Sequence, residues 1–297
     1  MKRIGKENTI FDYSKKNAPC LYIHPSELVT FEVCNRFSNL KGLAKALRQK
    51  RNSRLFGITG PLFISGAIPS QTLRVEILNV RLTSHEGYTV LLPNRGCFGD
   101  QIKRKHIKAV EIRRKNLLFT KEISLPLAPM VGRIGVSPRR GALPSHLPGP
   151  HGGNLDCKEV QAGAAIYLPI FVEGALLALG DIHASMGDGE CGLSGVETEG
   201  EVTIRCSLVD DFVIREPWVQ TQKEVMALAS ASSVEKAAKR ALSYLGEMLQ
   251  ARLRISFEEA VMLMSAAANV GICQMVNTLV TVKVSMPTSV LRIEQMD

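Results

Sequence analysis

The chain has 297 residues, 45% of them hydrophobic and 22% charged. That balance excludes a disordered or fibrous chain, and the length points to one large or two coupled domains. The formal net charge of +9 is unevenly placed: residues 1–150 carry 26 Lys and Arg against 9 Asp and Glu, and residues 151–297 carry 11 against 19.

The N-terminus, MKRIGKENTIFDYSKKN, is charged and lacks an apolar core, so no secretory signal is expected. The first basic cluster runs from Lys41 to Arg54 and the second spans Lys103 to Lys115. Neither is interleaved with aromatics, and no nucleic-acid-binding motif is present, so a nucleic-acid partner is not expected. Leu73, Val75 and Ile77 alternate with Arg74 and Glu76, which predicts a strand. The apolar face then resumes at Val80 and Leu82, a one-residue slip that predicts a bulge near Leu78 and Asn79. The segment from Leu125 to Gly153 is rich in Pro and Gly and reads either as a linker or as a structured loop feeding a site.

The stretch 164–180 is apolar but broken by Pro169 and Glu173, short of the roughly 20 residues a bilayer helix needs, so no membrane span is expected. Within it, residues 174–180 predict a buried strand. Glu173 is read either as a buried acid within an apolar strand, needing a partner, or as an edge-strand residue facing solvent. Val202, Ile204, Cys206 and Leu208 predict a further strand, and Val280 to Met286 another, closed by Pro287. Two helices are predicted between them. One starts at a Ser232/Glu235 capping box and carries Val234, Ala238, Ala241, Leu242, Leu245, Met248 and Leu249 as its stripe. The other starts at Ser256/Glu259 and carries Ala260, Leu263, Met264 and Ala267. The expected fold is mainly β, a sandwich- or barrel-like core, with C-terminal helices packed on it. The expected division is a basic β-rich region over 1–148 and a site-bearing region over 149–297, intertwined as one unit.

Seven cysteines, none in a Cys-x-x-Cys pair, argue against a disulfide framework or a thiolate zinc site and for reduced thiols in the cytoplasm. Ligand-type side chains gather instead between His151 and Glu190. Asp181 and His183 are two apart, which on a strand places carboxylate and imidazole on one face, the chemistry a divalent ion such as zinc requires. Asn154 and Asp156 share that spacing, as do Asp188 and Glu190, and glycines flank every group. Turn-forming Asn and Asp are the plainer reading of each pair alone. No Gly-x-Ser-x-Gly elbow or phosphate-binding loop competes, and Cys157 and Cys191 are weaker candidates as nucleophiles.

The runs His151-Gly-Gly-Asn-Leu-Asp156, Tyr167-Leu-Pro-Ile170, Glu173-Gly-Ala-Leu-Leu177, Gly180-Asp-Ile-His-Ala184 and Met186-Gly-Asp-Gly-Glu190 resemble the acetamidase/formamidase family in order and spacing. Segments 60–67, 129–138 and Cys273-Gln-Met-Val-Asn277 look similar too. The resemblance implies a β-rich, cytoplasmic, homo-oligomeric hydrolase of short linear amides such as formamide or acetamide, giving carboxylate and ammonia. It also implies a divalent metal, expected to be zinc, with calcium or another divalent ion as alternatives. Asp156, Asp181 and His183 are then the expected metal ligands. Glu190 is the expected general base, assisted by Asp188, and Asn154 and His151 are expected to bind substrate. The chain departs from the family's common pattern at Asn35, at Leu155 and at Phe11-Asp12-Tyr13. The departures at Asn35 and at the N-terminus support an alternative, a divergent non-catalytic member of the same fold that binds a small amide.

Overall fold

The computed structural model describes residues 1–34 and 57–293. Asn35 and the basic cluster from Lys41 to Arg54 lie outside the described residues. The fold is mainly β, as expected, and among the described residues two α-helices lie near the C-terminal end.

One sheet has nine strands, in the order Lys2–Ile4, Leu28–Val33, Gly200–Val209, Thr72–Leu82, Ala165–Pro169, Trp218–Gln220, Glu224–Ala231, Val280–Pro287 and Asn269–Gln274. Strands from both sides of position 149 thus share it, with Gly200–Val209 inserted between Leu28–Val33 and Thr72–Leu82. The second sheet has eleven strands, with Leu177–His183 at its centre, paired to Met130–Gly135, Glu197–Thr198 and Ile58–Ile64. Successive side chains of a strand point to opposite faces. Ile166 and Leu168 therefore join the core between the sheets, with Met226 and Leu228, while Ala165, Tyr167, Val225 and Ala227 pack under the helices. Where the helices cover it, the nine-stranded sheet is a middle layer buried on both faces, which is why Ala165–Pro169 is buried at every position, whereas Thr72–Leu82 and Gly200–Val209 keep exposed positions.

Thr203 pairs with Asn79 and Ile204 with Ile77, so Leu78 is the extra residue of a bulge, where the slip in the apolar pattern predicts it. The helix Val234–Leu253 is capped by Ser233, whose side chain accepts from the Lys236 amide. The predicted Ser232/Glu235 box is therefore one residue early, because Ser233 holds the extended conformation a cap needs. Of the expected stripe, Ala241, Leu245, Met248 and Leu249 are buried, and Val234, Ala238 and Leu242 are half-buried at its edges. The helix Phe257–Ala267 carries the predicted Ser256/Glu259 capping box.

Two further expectations are corrected. The strand predicted over 174–180 begins at Leu177, because Gly174, Ala175 and Leu176 take left-handed φ values of 71°, 57° and 57° in a tight turn. Glu173 is exposed ahead of that turn and not inside a strand. The Leu125–Gly153 segment is no linker, since it supplies the wholly buried strand Met130–Gly135. No helix among the described residues is long and apolar enough to cross a membrane.

Candidate active site

The strand Met130–Gly135 runs between Gly152–Asn154 and Leu177–His183. This register places Arg133 opposite Asn154 on one side and Gly180, next to Asp181, on the other. The Arg133 guanidinium is buried. Its Nε donates to Asn154 Oδ1 at 2.6 Å and its Nη2 lies 3.2 Å from Asp181 Oδ2. Gly132, its neighbour, leaves room for the acids: a Cβ there would sit 2.5 Å from Asp156 Oδ1 and 2.8 Å from Asp181 Oδ2.

His183 is the hub. Its Nε2 lies 3.3 Å from Glu197 Oε1 and 3.7 Å from Asp181 Oδ1. Gly195 approaches its Nδ1 so closely that a Cβ would meet it at 2.7 Å, and the Gly195 amide donates to Glu190 Oε1 at 3.0 Å. Two groups of ligand-capable side chains share this imidazole. They are Asp156, His183 and Glu190, and Asp181, His183 and Glu197, each with ligand atoms within 4.8 Å of one another. Both groups could hold a metal ion.

Three of these acids adopt left-handed backbone: Asp156 at φ 44°, Asp181 at 63° and Glu190 at 45°. Non-glycine residues rarely accept that strain, which costs about 1–3 kcal/mol each and persists where surrounding structure enforces it. Here it aims side chains from separate segments at one point.

Burial pushes the Asp156 carboxyl up to about 6, with Asp181 adding repulsion. Burial also drives Glu190 well above the usual carboxylate range, with Asp156 second, and takes Glu197 to about 7, with Asp181 second. Asp181 goes the other way: burial opposes its charge, yet Arg133 and then His183 hold it below its ordinary value. Burial likewise disfavours the His183 imidazolium, but Glu197 and Asp181 override it and raise the ring well above its usual value. Four carboxyls against one guanidinium and one imidazole leave excess negative charge in a dry site, which a divalent cation would balance. Asp156 Oδ1, Glu190 Oε2 and His183 Nδ1 are buried without a hydrogen-bond partner, while Nε2 faces the carboxylates of Glu197 and Asp181, so the donor set fits such an ion.

The structure thus brings together Asp156, Asp181, His183 and Glu190, with Asn154 attached through Arg133. His151 is buried nearby, edge-on to Tyr13 with ring centroids 5.0 Å apart, and burial lowers its imidazole to about 4. Asp188, expected beside Glu190, is turned away. It pairs with Lys283 at 2.7 Å and Lys158 at 2.9 Å, because Gly189 at φ 89° and Glu190 at φ 45° break the alternation that i, i+2 spacing assumes.

Sequence reasoning missed Arg133, Glu197 and Asn277. Asn277 Nδ2 donates to Asp156 Oδ2 at 3.3 Å, from a turn organised by the buried Gln274. Its one signal is the Cys273–Asn277 run. Arg133 is flagged by a lone charge within an apolar strand, whereas Glu197 sits in an acidic stretch that reads as solvated. The second basic cluster contributes Arg113, Arg114 and Lys115 to a cleft of about 1200 Å³ that shares no residue with this site.

The acetamidase/formamidase family model matches residues 140–292. Among solved structures, the acetamidase of Bacillus halodurans is 35% identical, covering 97% of each chain with a TM-score of 0.92. A predicted acetamidase/formamidase of the thermophile Thermoanaerobacter tengcongensis is 33% identical, covering 98% of this chain and 96% of its own, with a TM-score of 0.91. The Methylophilus methylotrophus formamidase is 40% identical over 67 residues, and the Mycolicibacterium smegmatis acetamidase 43% over 63. Those alignments take in 22% and 21% of this chain, and only 16% of each curated relative. On the family match and the near full-length structural likeness together, the chain belongs to the acetamidase/formamidase family.

Proposed function

We propose that this chain is a metal-dependent hydrolase of short linear amides of the formamide or acetamide type. The observation that carries the reading is the set of orphaned buried atoms on Asp156, His183 and Glu190, gathered in a family whose relatives bear amidase names. Asp156, Asp181 and His183 are the assigned ligands, and the mixed imidazole and carboxylate donors favour zinc over calcium. When bound, such an ion supplies Lewis acidity to polarise the amide carbonyl and to acidify water.

The chain's own residues do the rest. Arg133 fixes Asp181 through Nη2 and leaves Oδ1 facing His183. Glu197 and Asp181 hold the imidazole in place. The Gly195 amide anchors Glu190 by Oε1, which leaves Oε2 to take the proton from the attacking water and return it to the departing amine. Asn154, its carbonyl engaged by Arg133, is assigned to substrate through its amide group. His151 is neutral and offers hydrogen bonds to the same molecule. Asp188 keeps no part in the chemistry of this assignment.

Purified protein should release ammonia from formamide or acetamide, and chelator should stop it. Asp181→Ala and His183→Ala should each lose zinc and turnover. Near-stoichiometric zinc with unchanged turnover in both variants rejects the allocation. We also assign the chain to the cytoplasm, supported by its free cysteines, and to a homo-oligomer, supported by Phe257 and Met262, 61% and 70% exposed on one helix.

A further inference from the structure

A second buried cation lies outside the site and touches two of the segments that build it. Lys283, on the strand Val280–Pro287, is 9% exposed at its side chain and donates to Glu159 Oε1 at 2.6 Å and Asp188 Oδ1 at 2.7 Å. Its stem crosses Gly271 on the paired strand, where a Cβ would meet Lys283 Cε at 2.9 Å. Glu159 Oε2 accepts from the Cys157 thiol at 3.2 Å, one residue from Asp156. Asp188 lies two residues before Glu190. Between them, the Gly189 amide donates to Cys273 O at 3.0 Å and Gly189 O accepts from Met275 at 3.1 Å. That hairpin continues to Asn277, which donates to Asp156.

We propose that Lys283 is a positioning residue that clamps the segments bearing Asp156 and Glu190 to the hairpin bearing Asn277, and so keeps the metal-binding carboxyls in register. This rests on the reading of those carboxyls given above. Asp156 and Glu190 sit in left-handed backbone outside the strands, where single backbone bonds, Asp156 N–H to Gly132 O at 3.1 Å and Glu190 N–H to Gly187 O at 3.2 Å, take the place of a continuous ladder. Strained conformations persist only where tertiary contacts over-determine them. Lys283 makes two such contacts with a single ammonium, and Lys158 repeats one of them from the exposed side.

The test compares Lys283→Met, Lys283→Arg and Asp188→Asn with the wild type by amide hydrogen exchange and by zinc affinity in chelator competition. In Lys283→Met, exchange should quicken over residues 156–160 and 187–195 but not over the central strands at 218–231. Zinc binding should weaken by about 10–100-fold, the usual effect of losing a support behind metal ligands. Asp188→Asn, at a partly exposed carboxylate, should loosen 187–195 alone, and Lys283→Arg should restore most of the wild-type behaviour. On amide, kcat should fall more than KM. Wild-type exchange and zinc affinity in Lys283→Met overturn the proposal, and so does an acceleration spread evenly over 218–231. A wild type that releases no ammonia rejects the amidase reading, while exchange still decides the role of Lys283.

Discussion

Gly132→Ala isolates the contribution of space at the site. The residue lies in a buried strand and has an ordinary negative φ, so the backbone does not demand glycine. Away from a tight neighbour, alanine would stabilise such a position by about 0.5–1 kcal/mol. Here the added methyl would lie 2.5 Å from Asp156 Oδ1 and 2.8 Å from Asp181 Oδ2, where ordinary contact begins at 3.4 Å. The carboxylates must therefore retreat by 0.9 and 0.6 Å, the differences between those distances. Both belong to residues already in left-handed backbone, and Asp181 is tied to Arg133, so neither can move freely. Overpacking of a buried site costs about 1–3 kcal/mol, which leaves a net loss of up to about 2.5 kcal/mol and a folded protein. Misplacing reactive groups by about 1 Å costs on the order of 100-fold in rate. Ammonia release should thus fall by about two orders of magnitude, with zinc content reduced and the melting temperature only modestly lower. Wild-type turnover and zinc content in Gly132→Ala would show that these acids do not bound a working cavity.

Two other perturbations probe the buried charges. Arg133→Met leaves Asp181 buried without its cation, which should cost about 3–5 kcal/mol at neutral pH. Asp181 is held below its ordinary value, so its stabilising contribution is present above the unfolded-state value and lost as pH falls through the folded one. Denaturant titration should show the deficit shrinking below about pH 4, and a constant deficit would contradict this account. Glu216 is buried beside Arg240, and burial lifts its carboxyl to about 7. A raised value means the fold holds the proton between roughly pH 4.5 and 7, so the wild type should lose up to about 3 kcal/mol as pH rises across that window. Glu216→Gln should flatten that slope in pH-dependent melting, and an unchanged slope would assign it to other groups.

Much of the fold is legible in the sequence wherever one periodicity governs a segment. The slip after Ile77 marks the bulge at Leu78, and the Ser256/Glu259 pair marks a helix start. Legibility fails where chain geometry changes within a residue or two. Residues 174–176 are as apolar as the strand that follows, yet form a left-handed turn, which hydrophobicity cannot report. The capping box read at Ser232 fails for a related reason. Adjacent serines offer two registers, and the backbone conformation of Ser233 decides between them.

The candidate site follows the same division. Asp181 and His183 are readable because both stand on one strand, while Asp188 and Glu190 share the spacing and diverge, since the turn at Gly189 and Glu190 separates them. What the spacing rule lacks is the third dimension: Glu197 reaches His183 only through the pairing of Glu197–Thr198 with Leu177–His183, and Arg133 reaches Asp181 only because its strand lies alongside. The charge pattern nonetheless carries the outcome. The acid-rich half supplies Asp156, Asp181, Glu190 and Glu197 to a volume in which the basic half places Arg133. One guanidinium cannot neutralise four carboxyls, and a raised His183 with three raised carboxyls is how a dry cluster shares too few protons. A divalent cation resolves that imbalance without protons. Zinc should therefore displace protons on binding, and calorimetry in buffers of different ionisation enthalpy should detect their release. Binding without proton release would place the ion away from these carboxyls.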